Sequence, residues 1–179
     1  DLSVQVHPDD ALAAKRHNCM GKTEMWYVID VRPGAKIYAG MAREITPDQY
    51  VKDVADGTFT QDIACHESHP GDVFFIPAGR VHAIGAGNLI AEIQQTSDIT
   101  YRIYDYNRRD AQGNQRQLHT EEAREAIDYR VSDNYVSSYD HNAAHASLVD
   151  CDFFTVNLLK PDGKLDVDMP AGSFLSLTV

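Results

Sequence analysis

Gln5 and His7 stand two residues apart in the stretch "LSVQVHPDD", and Glu24 and His82 follow further along the chain. Two imidazoles, a carboxylate and an amide oxygen form a mixed nitrogen and oxygen donor set. Such a set suits one divalent cation, zinc first, with iron, manganese or cobalt as other choices. It also leaves positions for water or substrate, which a catalytic ion needs. Taken singly, each residue has a plainer role. A lone histidine on a strand is usually a hydrogen-bonded structural residue, a glutamine is usually solvated, and Glu24 alone would be a surface carboxylate. What joins them must be the elements that carry them.

The opening stretch alternates. Ser3, Gln5 and His7 fall on one side of a strand, and Leu2, Val4 and Val6 on the other. Ser3 shares the donor face, so a substrate contact and a plain strand serine are both open. Pro8-Asp9-Asp10 starts a short helix over 11–15, which Asn18 and Gly21 end. A strand runs from Glu24 to Val31, a Pro-Gly turn follows, and Ile37 to Met41 is the next strand. In "TPDQYVKDVADG" Thr46 can cap, Pro47 fits the first helical position and Gln49 completes a capping box, so a helix is expected over about 47–56. "HPGDVFFIPAGRVHAIGAGNLIAEIQQ" predicts three strands separated by glycine turns, Val73 to Ile76, Val81 to Ile84 and Asn88 to Gln95. Thr100 to Tyr106 is a further strand, with Arg102, Tyr104 and Tyr106 on one face. Glu92 and Gln94 share a face of theirs.

Residues 107–150 read as a connection, polar at first, with Thr120 capping a helix through Ala126 and an irregular stretch over 130–148. From Cys151 strands resume in "FFTVNLL", "LDVDM" and "SFLSLTV". Many short strands with Gly/Pro turns predict a mainly β protein, a barrel or jelly roll with helical insertions. The domain reading is a barrel at 1–106, a connection at 107–150 and the start of a second, similar β unit at 151–179.

Bulk properties exclude some functions. The chain has 179 residues and a net charge of -11. A nucleic-acid partner calls for a basic surface, so none is expected. No apolar run approaches the ~20 residues that span a bilayer, so no membrane partner is expected either. Cys19, Cys65 and Cys151 are odd in number and widely spaced, which fits no disulfide framework. With no signal-peptide pattern at the start, a reducing, cytoplasmic setting is expected. Oligomeric state is not readable. Cys65, His66 and His69 match none of the paired-ligand spacings and read as a loop, and His141 and His145 as surface residues. Asp9 and Asp10 read as helix caps.

In "GDVFFIPAGRVH" the spacing from Gly71 to Pro77, Gly79 and His82 is similar to the second signature of the cupin superfamily. "LSVQVHPDD", "GKTEMWYV", "GDVFFIPAGRVHAIG" and "EIQQTSDITYRIYDYNR" then occur in order across 2–108. Together these strings resemble the type I phosphomannose isomerases (mannose-6-phosphate isomerases). The resemblance implies a cupin barrel followed by the start of a second cupin-like segment, with strands before the first string and a completed second barrel that this sequence does not include. It implies that Gln5, His7, Glu24 and His82 bind zinc. It places Arg102, Lys22 and Glu92 at catalytic positions, with Lys22 and Arg102 toward substrate, where Ser3 would join them by its strand face. The implied reaction interconverts mannose 6-phosphate and fructose 6-phosphate through a cis-enediol, the sugar phosphate being the partner. The base is left open between Glu92 and a water on the metal. Two rival readings are a metal- and sugar-binding cupin without turnover and an iron-dependent cupin oxygenase.

Overall fold

The computed structural model describes residues 2–168 and 171–178. Its strands are β1 (Val4–Val6), β2 (Glu24–Val31), β3 (Lys36–Met41), β4 (Ile63–Glu67), β5 (Val73–Ile76), β6 (His82–Ile84), β7 (Asn88–Gln94), β8 (Tyr101–Tyr104), β9 (His145–Asp150) and β10 (Thr155–Leu159). Its α-helices are α1 (Asp10–His17), α2 (Pro47–Ala55) and α3 (Thr120–Ala126). The order β4-β3-β6-β1-β8 makes one sheet of five strands, β5-β2-β7 a second of three, and β10-β9 a hairpin. Every pairing among the named strands is antiparallel. The two larger sheets face each other as a cupin-type jelly-roll barrel, as the short strands and glycine turns predict.

Alternation decides what each face buries. Ile37, Ala39, Trp26, Val28, Phe74 and Ile76 fill the space between the sheets. On the back of the larger sheet, Val4, Val6, Val81 and Ile103 pack beneath Tyr50 of α2 and Ala123 of α3. On the back of the smaller sheet, Met25 and Val73 pack against Val149 of the β9-β10 hairpin. The central strands are therefore covered on both faces, and their apolar runs are nearly continuous. No described helix is long and apolar enough to cross a membrane.

Capping follows the sequence closely at two helices. Asp9 accepts a hydrogen bond from Leu12 N at 2.8 Å, and Thr46 from Gln49 N at 3.1 Å. The capping box is only half made, because the Gln49 amide donates to Asp53 at 2.7 Å instead. Thr120 is not a cap: His119 takes the cap position, with no side-chain bond to the first turn. The strand expected to reach Tyr106 stops at Tyr104, because Tyr106 and Asn107 take left-handed φ of 53° and 55° and turn the chain.

The second half needs larger corrections. β9 begins inside the stretch read as irregular and runs past its end, since its small residues Ala146 and Ser147 give a weak apolar signal. The connection is also well anchored: the Tyr135 hydroxyl donates to Met41 O at 2.8 Å and Tyr139 to Gly71 O at 2.7 Å. The tail expectation is not met: residues 165–168 and 173–178 form no strand and are exposed. Strand propensity there finds no ladder partner among the described residues. Met169 and Val179, the remaining residues of those two expected strands, lie outside the described residues.

Gly21 is needed for space. A Cβ there would lie 2.4 Å from Asp9 C and 2.6 Å from Asp10 N and Pro8 O. These are backbone atoms, so no rotamer change relieves the clash. Gly34, by contrast, has φ +79° and open space around it. Gly21→Ala should destabilise the protein by at least ~2 kcal/mol through overpacking, and Gly34→Ala by ~1 kcal/mol through strain alone. Urea unfolding midpoints check this, and equal losses would show that the crowding at Gly21 is relieved elsewhere.

Candidate metal centre

Strand register brings the donors together. Gln5 of β1 lies opposite His82 of β6 on one side and opposite Arg102 of β8 on the other. His82 in turn lies opposite Ala39 of β3. Directly opposed residues share a sheet face, so Arg102, Gln5 and His82 form a row pointing between the sheets. His7 follows β1 by one residue and keeps the face of Gln5. From the facing sheet, Glu24 opens β2 opposite Ile76 and Gln94.

His7 Nε2 is 3.4 Å from Glu24 Oε2, and His82 Nε2 is 3.4 Å from Glu24 Oε1. Gln5 Nε2 lies 3.3 Å from His82 Nε2. Atoms about 2.1 Å from a shared ion at the tetrahedral angle lie about 3.4 Å apart, so these spacings fit a bound cation. Each ring is aimed by its other nitrogen: a carbonyl only accepts, so His7 Nδ1–H donates to Ile99 O and His82 Nδ1–H to Arg80 O, both at 2.8 Å. Both Nε2 lone pairs then face Glu24, as metal-ligating imidazoles require. The edge of the rings is walled by Trp26, which meets His82 at 5.3 Å and 81°.

The decisive observation is what these atoms lack. His7 Nε2 and both Glu24 oxygens are buried without a hydrogen-bond partner. Glu24, His7 and His82 are each no more than 1% exposed. Unpartnered buried groups of this kind are costly unless a cation satisfies them. Among the described residues, His7, Glu24 and His82 are the one group of His, Cys, Asp and Glu side chains arranged to hold an ion. The Gln5 amide nitrogen faces the cluster, and a half-turn of the amide would present its oxygen there instead. Ser3 Oγ now donates to Gln5 Oε1 at 3.1 Å, and a hydroxyl accepts equally well after the amide turns its oxygen toward the cluster. The residues present therefore fit a divalent ion.

Charge states fit as well. Burial is the largest influence on Glu24 and pushes its carboxyl up, but His82, His7 and Lys22 together outweigh it and hold it down at about 2. Complete burial lowers His82 to about 4, with Glu24 opposing. At neutral pH the carboxylate is charged and His82 is neutral, the forms that bind a cation.

Lys22 and Glu92 flank this cluster. Lys22 Nζ is 3.3 Å from Glu24 Oε2 and 3.7 Å from Glu92 Oε1. Burial, then the charge of Glu24, raises the Glu92 pKa. Ser3 is 1% exposed and spends its hydroxyl on Gln5, which makes it a holder of the amide. Arg102 keeps the row of Gln5, but its guanidinium donates to Gln117 O at 3.1 Å. Cys65, His66 and His69 do not converge: Cys65 is exposed, His66 is near Ala39 O and His69 is near Asp72. His141 stacks on Tyr139 and His145 contacts Asn157.

The orienting groups were missed by sequence reading. Ile99 O and Arg80 O are backbone atoms and carry no residue signature. Asp10, read as a cap, accepts from Gly21 N at 2.8 Å and from the Gln95 amide at 3.2 Å, while Gln95 Oε1 accepts from Thr23 N at 2.7 Å. These bonds fix the loop that delivers Lys22 and Glu24.

No family model matches the chain. It is 38% identical over 168 residues to GmuF of Bacillus subtilis (strain 168), a probable mannose-6-phosphate isomerase, covering 92% of this chain and 53% of GmuF. Over most of its length the chain is thus similar to about half of a protein named as a mannose-6-phosphate isomerase. Another so named, from Streptococcus mutans (strain UA159), is 43% identical over 122 residues, 68% of this chain and 38% of that one. The crystal structure of the mannose 6-phosphate isomerase from Bacillus subtilis superposes with a TM-score of 0.78 at 34% identity, over 87% of this chain and 51% of that one. The chain thus spans about half the length of these relatives.

Stability should carry the signature of buried His82. Its folded pKa, about 4, is below the ordinary 6.5. Between these values the unfolded chain binds more protons, so unfolding free energy rises with pH across that window. Stability should be full above ~6.5 and fall away toward ~4. Urea titrations of chelator-treated protein should show this rise, and His82→Gln should flatten it. An equal slope in the variant would place the titrating group elsewhere.

Proposed function

We propose that this chain carries the metal-binding half of an aldose–ketose isomerase that interconverts mannose 6-phosphate and fructose 6-phosphate through a cis-enediol. The observation that carries the reading is the buried His7–Glu24–His82 cluster, with His7 Nε2 and both Glu24 oxygens unpartnered, lying in a chain whose relatives are named as isomerases of this substrate. Zinc is the proposed ion, held by His7, His82, Glu24 and the Gln5 oxygen. When bound, the ion supplies Lewis-acid stabilisation for negative charge developing on the sugar oxygens at C1 and C2.

The remaining work falls to the chain's own side chains. Moving a proton between C2 and C1 needs a group that can both take and return it near neutral pH. Glu92 suits this: its carboxyl is partly buried, its pKa is raised, and it lies beside Lys22 at the edge of the cluster. Lys22 keeps a fixed positive charge between two carboxylates and is placed to bind a sugar oxygen or the phosphate. Arg102 is proposed to orient substrate and stabilise developing charge through its planar fork. A chain at -11 repels a sugar phosphate at long range, so these local cations must dominate at the site.

Cys19, Cys65 and Cys151 are free thiols, which suits the cytoplasmic setting proposed for the protein. The division at 106 and 150 belongs to the same proposal, amended by β9, which begins before residue 150.

A coupled assay for fructose 6-phosphate, with zinc stoichiometry measured alongside, tests the reading. Arg102→Ala should keep its metal and lose ~100- to 1000-fold in turnover, the usual cost of one charge-stabilising donor. Arg102→Lys should recover part of that loss. His82→Ala should lose metal and turnover together. Metal binding without turnover in the unmutated chain would favour a binding cupin, and oxygen consumption with iron would favour an oxygenase.

A further inference from the structure

Arg102 is held by a segment that the sequence marks only as a polar connection. β8 lies at the end of the five-stranded sheet, paired with β1 on one side alone. Along its other side runs the segment 116–119. His119 N donates to Arg102 O at 2.7 Å, and Arg102 N donates to His119 Nδ1 at 3.1 Å. The Arg102 guanidinium donates to Gln117 O at 3.1 Å, while its Nε is buried and makes no hydrogen bond. The backbone and one arm of Arg102 are thus fixed by the same short stretch.

That stretch has its own anchor. Arg116 Nε donates to Asp105 Oδ2 at 2.7 Å, and its terminal nitrogen reaches Asp105 Oδ1, a two-point fork onto one carboxylate. Arg108 Nε adds a bond to Asp105 Oδ1 at 3.0 Å. Asp105 is 5% exposed, so its charge is satisfied from within the protein. Hydrogen bonds from Arg116 are the first cause that lowers its pKa, to about 2. Without Asp105, three guanidiniums would crowd one edge: beyond burial, the charges of Arg116 and Arg108 both act against Arg102.

We infer that Arg116 and Asp105 are positioning residues, which lock segment 116–119 along the open side of β8 and, through the Gln117 carbonyl, aim the Arg102 guanidinium toward the metal-bearing row. This inference rests on the proposed isomerase reading for its kinetic consequence. Arg116 sits after Arg102 by fourteen positions and in the register of no strand, so it acts through Arg102 and not on the sugar.

The full zinc-loaded chain is assayed with mannose 6-phosphate as Arg116→Ala, Arg116→Lys and Asp105→Asn, with Arg109→Ala as control. Arg109 lies in the same connection, and its guanidinium donates to Gly113 O at 2.6 Å and not to Asp105. Arg116→Ala should keep its zinc and lose ~10- to 100-fold in kcat, the scale of a misplacement near 1 Å. Arg116→Lys, which keeps the charge but not the fork, should be intermediate, and Arg109→Ala unchanged. In an Arg102→Ala background, Arg116→Ala should cost nothing further, because the residue it serves is gone. Losses that add in the double variant would overturn the inference and leave Arg116 a general support of the fold. A second readout does not depend on turnover. The Arg102 Nε–H resonance, assigned by its absence in Arg102→Lys, should be sharp in the unmutated chain and broadened in Arg116→Ala, and untouched in Arg109→Ala. An unchanged Arg102 signal in Arg116→Ala would sink the positioning role. If the unmutated chain fails to turn over mannose 6-phosphate, the isomerase reading falls and the resonance alone decides this one.

Discussion

Glu24 is a carboxylate with both oxygens shut away from water and bonded to no donor. Such a group is tolerable only when positive charge meets it. Lys22, 3.3 Å from Glu24 Oε2, does part of this, and a divalent ion would do the rest. Most of the surrounding architecture can be understood as keeping that arrangement in place. The histidines must not turn away, so each is pinned by a carbonyl from a neighbouring loop. The loop before β2 must not drift, so Asp10 and Gln95 hold it from two directions. The apolar fill of Trp26, Phe74 and Ile76 keeps water from relieving the charge from below.

The donor set itself was legible in the sequence because period-two alternation is a rigid rule. Once Gln5 and His7 are known to share a strand face, the register that sets Gln5 opposite His82 brings the second imidazole alongside. The glycine turns around Gly71 and Gly79, both at positive φ, were legible for a similar reason: few other residues accept that geometry. Lys22 and Glu92 gave no such signal without the family strings, since a lysine before a strand and a glutamate on one are ordinary surface choices. Their closeness depends on the β2–β7 pairing, which sequence does not state.

Where sequence reading failed, the missing information was tertiary. β9 is a strand because β10 pairs with it and Met25 and Val73 lie beneath it, not because "HASLVD" looks like one. The reverse holds for the tail, where good strand residues have no partner. Thr120 has capping chemistry, but the chain enters α3 one residue earlier, held where His119 N donates to Arg102 O and Arg102 N to the His119 ring. The role of Arg116 could not be seen at all, because it depends on one buried aspartate and on where the connection runs.

The sheet order has a consequence for biosynthesis. Among the described residues the strand partners of β1 are β6 and β8, both synthesised well after it. The carbonyl that orients His7 belongs to Ile99, still later in the chain. Gln5 lies opposite His82 and Arg102, 77 and 97 residues further on, so on the ribosome this donor strand must wait for both, and long-range pairings of this kind form slowly. A nascent chain should be unable to capture a cation in this geometry until β8 has cleared the exit tunnel. During that interval the exposed Val4 and Val6 are unpaired strand edge, the kind of surface that chaperones bind.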